Sequence, residues 1–147
     1  MSEKKRLSED IAHIEWFLIE NYDVFTSFEK DGLDEYWFDP EDLDDPGVIS
    51  INTSNDLKTQ LFVLLHEAGH VLLRSDKKEF SLCFPDSSRD NIEGRIEILK
   101  EEVMAWLKAQ ELAFDLGIVV DQVQWQENYR NALLKYIEWV PKGDKNE

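Results

Sequence analysis

His66, Glu67 and His70 stand in the run His66-Glu67-Ala68-Gly69-His70, two imidazoles four residues apart with a carboxylate between them. On a helix advancing about 100° per residue both histidines leave the same face one turn apart, so they can share one tetrahedral ion. Glu67 is offset from the pair yet adjacent. Its carboxylate therefore lies beside an open coordination position, where it can act as general base on a bound water. Val63, Leu64 and Leu65 before the motif and Val71, Leu72 and Leu73 after it make this helix dry. Two histidines and a glutamate are costly to bury there without a partner, and a metal is the simplest one. The competing account, two satisfied core histidines in an accidental match, fits that flanking pattern poorly.

A catalytic zinc needs a third protein ligand. The remaining histidine, His13, lies far upstream on an amphipathic segment. Downstream, the spacing predicts a helix over 91–116, on which Glu97, Lys100, Glu101, Lys108, Glu111 and Asp115 share a polar face. Ile98, Leu99, Val103, Ala105, Trp106, Ala109 and Ala113 share the other. Glu102 projects from that apolar face, about 100° from Glu101. Buried glutamates are rare unless paired or metal-bound, so Glu102 is the expected third ligand and Glu101 the alternative. A competing reading pairs Glu102 with a core arginine, Arg74 or Arg95.

These residues need elements to position them. Ile11, Ile14, Phe17 and Leu18 recur at helical spacing between Ser8 and Tyr22, which predicts an amphipathic first helix. Aromatic and β-branched residues around Asp31-Gly32 predict a β-hairpin. Val48 to Asn52 alternates like a short strand, and the motif helix follows it, with Asn55 or Asp56 as N-cap. Residues 76–90 show no period and read as an exposed loop. Gly117 is placed to stop the 91–116 helix. A last helix from Asp121 to about Val140 carries Trp125, Tyr129, Ala132, Leu133, Tyr136 and Ile137 on one stripe, and residues 141–147 read as a frayed tail. The expected fold class is α+β, and 147 residues without a dividing linker predict a single domain over 1–147.

Composition narrows the partners. Acidic residues outnumber basic ones 32 to 16, a net charge of −16, which disfavours direct nucleic-acid binding because that affinity comes from Lys and Arg on phosphates. Cys83 is the lone cysteine, so no internal disulfide can form; a role for it at the metal is disfavoured, since a lone loop cysteine is usually inert. No apolar run reaches the roughly 18 residues of a membrane span, and a cytoplasmic location is the expectation. The acidic run from Asp39 to Asp45 lacks the spacing of a calcium loop and reads as solvated.

The stretch GVISINTSNDLKTQLFVLLHEAGHVLL resembles the ImmA/IrrE-type metallopeptidases, a gluzincin-like group that pairs HExxH with a downstream Glu. In that family a short strand with an I-x-I/V-N pattern precedes the active-site helix, and Ile49, Ile51 and Asn52 fit it. Glu102-Val103-Met104-Ala105-Trp106 looks like the E-x-x-A-W variant of the second motif seen in small phage and prophage members, which implies Glu102 as zinc ligand. The resemblance covers roughly residues 47–118. It implies a zincin-like fold, a small antiparallel sheet packed on the central motif helix. One departure is Trp106, which stands where many gluzincins place an Asp or Asn to support a histidine.

The resemblance and the motif together imply a zinc metalloendopeptidase hydrolysing a peptide bond in an intracellular protein. Glu67 is its base, and the strand Ile49 to Asn52 could align an extended substrate. Tyr129 or Tyr136 could supply an oxyanion donor, but both fit the apolar stripe and read first as core aromatics. A second reading is a catalytically silent, zinc-stabilised acidic protein that binds a basic or regulatory partner. A third, an acidic nucleic-acid mimic, leaves the motif idle.

Overall fold

The computed structural model describes residues 2–39, 41, 42, 44–85 and 88–144. Its elements are α1 (Glu3–Tyr22), β1 (Phe25–Glu29), β2 (Glu35–Trp37), β3 (Val48–Asn52), α2 (Leu57–Ser75), α3 (Lys77–Cys83), α4 (Ile92–Asp115) and α5 (Gln122–Lys142). The fold is α+β, a three-stranded sheet packed with helices around α2. No helix among the described residues is long and apolar enough to cross a membrane.

The sheet is mixed rather than antiparallel. Its order is β1-β3-β2, with β3 parallel to β1 and antiparallel to β2. The hairpin expected at Asp31-Gly32 is therefore a crossover turn, because β1 and β2 flank β3 and do not pair with each other. The reason is burial: Ile49 and Ile51 are fully buried, so the most apolar strand takes the centre. Asp31 does adopt a positive φ of 58°, but its N–H donates to the side chains of Asn52 and Ser54 at the end of β3. Asn52 thus pins the crossover to the strand that leads into α2.

Asp56 caps α2, its side chain accepting from the Thr59 N–H at 2.8 Å. Leu61, Leu64, Leu65 and Ala68 are buried, and α1, the sheet and α4 all pack against this helix. Helix α4 comes close at Gly69, where an added Cβ would run into the Ala105 carbonyl.

Two boundaries differ from the sequence reading. Residues 77–83 form a helix, α3, capped by Asp76, whose side chain accepts from the Glu79 N–H at 3.0 Å. Seven residues are too few to show a period. At the other end, Pro141 and Lys142 continue α5 instead of fraying. Arg95 donates to the Val140 carbonyl at 2.7 Å, and Asp144 accepts from Arg89 and from the Trp139 indole. Residues 145–147 lie outside the described ones. Gly117 follows α4 with φ 70°, the stop its position suggested.

Gly69→Ala is expected to force α2 from α4 against a backbone atom that cannot rotate away. The loss of stability should lie at or above the upper end of the roughly 1–3 kcal/mol typical of overpacking, read as a lowered urea midpoint.

Candidate metal centre

Helix α2 presents His66 and His70 to α4, and α4 returns Glu102. The Nε2 atoms of the two histidines lie 3.2 Å apart. Glu102 Oε2 is 2.8 Å from His66 Nε2, and Glu102 Oε1 is 3.1 Å from His70 Nε2. Each imidazole thus faces its own oxygen of Glu102, and one donor atom from each of the three residues makes a triangle whose corners lie within 4.8 Å of one another, a span that a tetrahedral ion can bridge. Two imidazoles and one carboxylate are also a donor set suited to a divalent transition ion. His66, His70 and Glu102 are thus positioned to bind a metal ion, and they fit one. His13, by contrast, is exposed on α1 and outside the cluster.

Each flanking group has a definite place. Glu67 is 7 % exposed, with Oε1 3.4 Å from His66 Nδ1. Burial pushes its carboxyl up, opposed by the two histidines. Burial would also raise Glu102, but hydrogen bonds from His66 and His70 outweigh it and hold the carboxyl well below its ordinary range. For His70 burial disfavours the charge, yet Glu101 and Glu102 reverse that and push its pKa up to about 10 when no metal competes. Trp106 stacks on His66, ring centroids 4.5 Å apart and planes 16° from parallel. Its buried Nε1 has no hydrogen-bond partner among the described residues.

Glu101 corrects the helical-wheel reading. It is 5 % exposed rather than on a solvated face, and it neither joins the ligand triangle nor leaves Arg74 free for Glu102. Its Oε2 lies 2.6 Å from His70 Nδ1, and Arg74 donates to both of its oxygens. Arg95, the other candidate partner for Glu102, instead donates to the carbonyls of Val140 and Arg89. Arg74 stands four residues after His70, one turn along the same helix face. That spacing was the signal available in the sequence.

The two tyrosines also separate. Tyr136 on α5 donates its hydroxyl to Glu102 Oε1 at 3.0 Å, and burial beside that carboxylate pushes its phenol up, so it stays protonated. Tyr129 packs against Trp106 instead. A cleft of about 870 Å³ opens over the triangle, walled by β2 on one side and by α5 on the other. The strand at that wall is β2. Strand β3 has both edges occupied by β1 and β2, so the alignment expected of Ile49 to Asn52 cannot occur there.

A family model described as the IrrE N-terminal-like domain (Peptidase_M78) matches residues 20–117. No curated protein and no solved structure matches the chain. The matched segment holds the sheet, α2, α3 and α4, and it excludes α5 with Tyr136.

Metal content of the purified chain, measured by mass spectrometry after dialysis, should be about one equivalent. It should fall to near zero in His66→Ala, His70→Ala and Glu102→Ala. Equal, near-zero values in parent and variants would exclude a metal site.

Proposed function

The chain belongs to the IrrE N-terminal-like domain family, and on that footing we propose that it is a zinc-dependent metallopeptidase cleaving a peptide bond in a protein substrate. The observation that carries the reading is Glu67, a buried carboxylate that opens onto the cleft holding the ligand triangle. Zinc held by His66, His70 and Glu102 would supply a Lewis acid for the scissile carbonyl and lower the pKa of water.

The chain's own residues do the rest. Glu67 takes a proton from the attacking water and delivers it to the leaving amine. Its burial suits that exchange, because a desolvated carboxylate binds the proton more firmly than an exposed one. Tyr136, kept protonated, turns its hydroxyl from Glu102 toward the oxyanion that develops on the carbonyl. An extended substrate segment aligns along the outer edge of β2, whose residues Glu35 and Tyr36 line the cleft.

The acidic surface favours a second reading, in which the same centre only stabilises a protein that binds a basic partner. One experiment separates the two. A proteome-derived peptide library is incubated with zinc-loaded protein, and new termini are read by mass spectrometry. Glu67→Gln should keep its zinc and lose cleavage by a factor of about 10²–10⁴, the usual contribution of a general base. Tyr136→Phe should keep zinc and lower kcat, by up to the roughly 10²–10³-fold lost with one oxyanion donor, more than it raises KM. Full biological activity in Glu67→Gln would replace hydrolysis with the binding reading.

A further inference from the structure

Two imidazoles that must present Nε2 to one point need their other ring nitrogens and ring planes fixed. The two histidines meet this need differently. His66 is held as a plane by the stacked Trp106. His70 has its Nδ1 against Glu101 at 2.6 Å, a charge-assisted contact short enough to set the tautomer.

Glu101 is itself held. Arg74 donates Nε to Oε2 at 3.1 Å and Nη2 to Oε1 at 2.8 Å, a two-pronged pairing that fixes the carboxylate in rotation as well as in charge. The guanidinium in turn lies 4.6 Å from the Phe38 ring centroid and 4.7 Å from that of Phe80. Phe38 follows β2 and Phe80 is on α3, so elements remote from the ligands reach His70 through three successive contacts.

We propose that Arg74 and Glu101 are positioning residues for the metal centre, a relay that fixes the Nδ1-protonated tautomer of His70 and leaves its Nε2 for the ion. The relay also divides the work between two adjacent glutamates. Glu102 faces the triangle, while Glu101, about 100° around α4 as the next residue, is engaged by Arg74 and withheld from the ion. Glu101 therefore raises the basicity of a ligand without becoming one.

The inference rests on the reading of His66, His70 and Glu102 as ligands, and zinc affinity tests it without any assay of hydrolysis. Affinity is measured by competition with a chromogenic chelator on the full chain, with far-UV circular dichroism of the metal-free protein as the folding control. Glu101→Ala should weaken zinc by about 10–100-fold, and the isosteric Glu101→Gln, which keeps an acceptor but not the charge, by less. Arg74→Met should weaken it with Glu101 present and add nothing further in Glu101→Ala, because both act through one contact. Parent-like affinity in both Glu101 variants, or additive losses, would overturn the relay. Should Glu101→Ala fail to fold, long-range proton–nitrogen spectra of the zinc-loaded parent decide: protonated Nδ1 on His70 supports the relay, and metal at Nδ1 sinks it. A parent that takes up no zinc removes the ligand reading itself, a different outcome from tight zinc in every variant.

Discussion

A buried excess of negative charge governs this molecule's centre. Glu67, Glu101 and Glu102 are each less than a tenth exposed and meet within one cluster, with Arg74 as the fixed cation beside them. Three carboxylates against one guanidinium leave two negative charges uncompensated if both histidines are neutral. Such a charge cannot be carried in a low-dielectric interior without a counter-charge. A divalent ion in the triangle supplies it. In its absence protons must do so, which is the direction taken by both His70, with its pKa raised to about 10, and Glu67. Metal and proton are alternative answers to one electrostatic demand, so metal uptake at this site would be coupled to proton release.

The fold supplies the proximity that this arrangement requires. Ligands on two helices converge only if the helices nearly touch, and Gly69 lets α2 and α4 do so one residue before the second histidine. The same crowding makes Ala105 and Ala109 small and fully buried along the facing side of α4. On the opposite wall, β2 is short, yet Glu35 and Tyr36 on it line the cleft beside Glu67. Helix α5 closes the cleft from outside the family-matched segment. Its packing on the core runs through Trp125 and Tyr129 around Trp106, and this carries Tyr136 to Glu102.

Much of this was legible in the chain, for reasons that also mark where legibility stops. The dry flanks of α2 and the acid at position 102 among apolar residues of α4 single out His66, His70 and Glu102, which the fold brings together, because helical geometry is local. Helix ends carrying caps, such as Asp56, Asn91 and Asp121, fall within a residue or two of their expected places. Strand pairing is not local. Nothing within residues 25–37 says that β3 will insert between β1 and β2, so an apparent hairpin turn became a crossover. Glu101 was misplaced for a related reason. A helical wheel sorts residues by polarity, but a polar side chain facing Arg74 and His70 is as well satisfied inside as one facing water.

The unequal support of the two histidines has a consequence for Glu67. Stacking on Trp106 holds the plane of His66 but does not choose which nitrogen carries the proton, since the indole Nε1 makes no hydrogen bond to it. The carboxylate facing His66 Nδ1 is that of Glu67, at 3.4 Å, longer than a proper hydrogen bond. His70 has Glu101 at 2.6 Å from its Nδ1, whereas His66 has the stacked Trp106 and a loose contact with Glu67, the proposed base. Tightening that contact would secure the ligand and engage the base; loosening it frees the base and leaves His66 to Trp106 alone. The large, flat side chain at position 106 is therefore suited to this centre: it holds one ligand by area rather than by a hydrogen bond, and so leaves Glu67 available to the cleft.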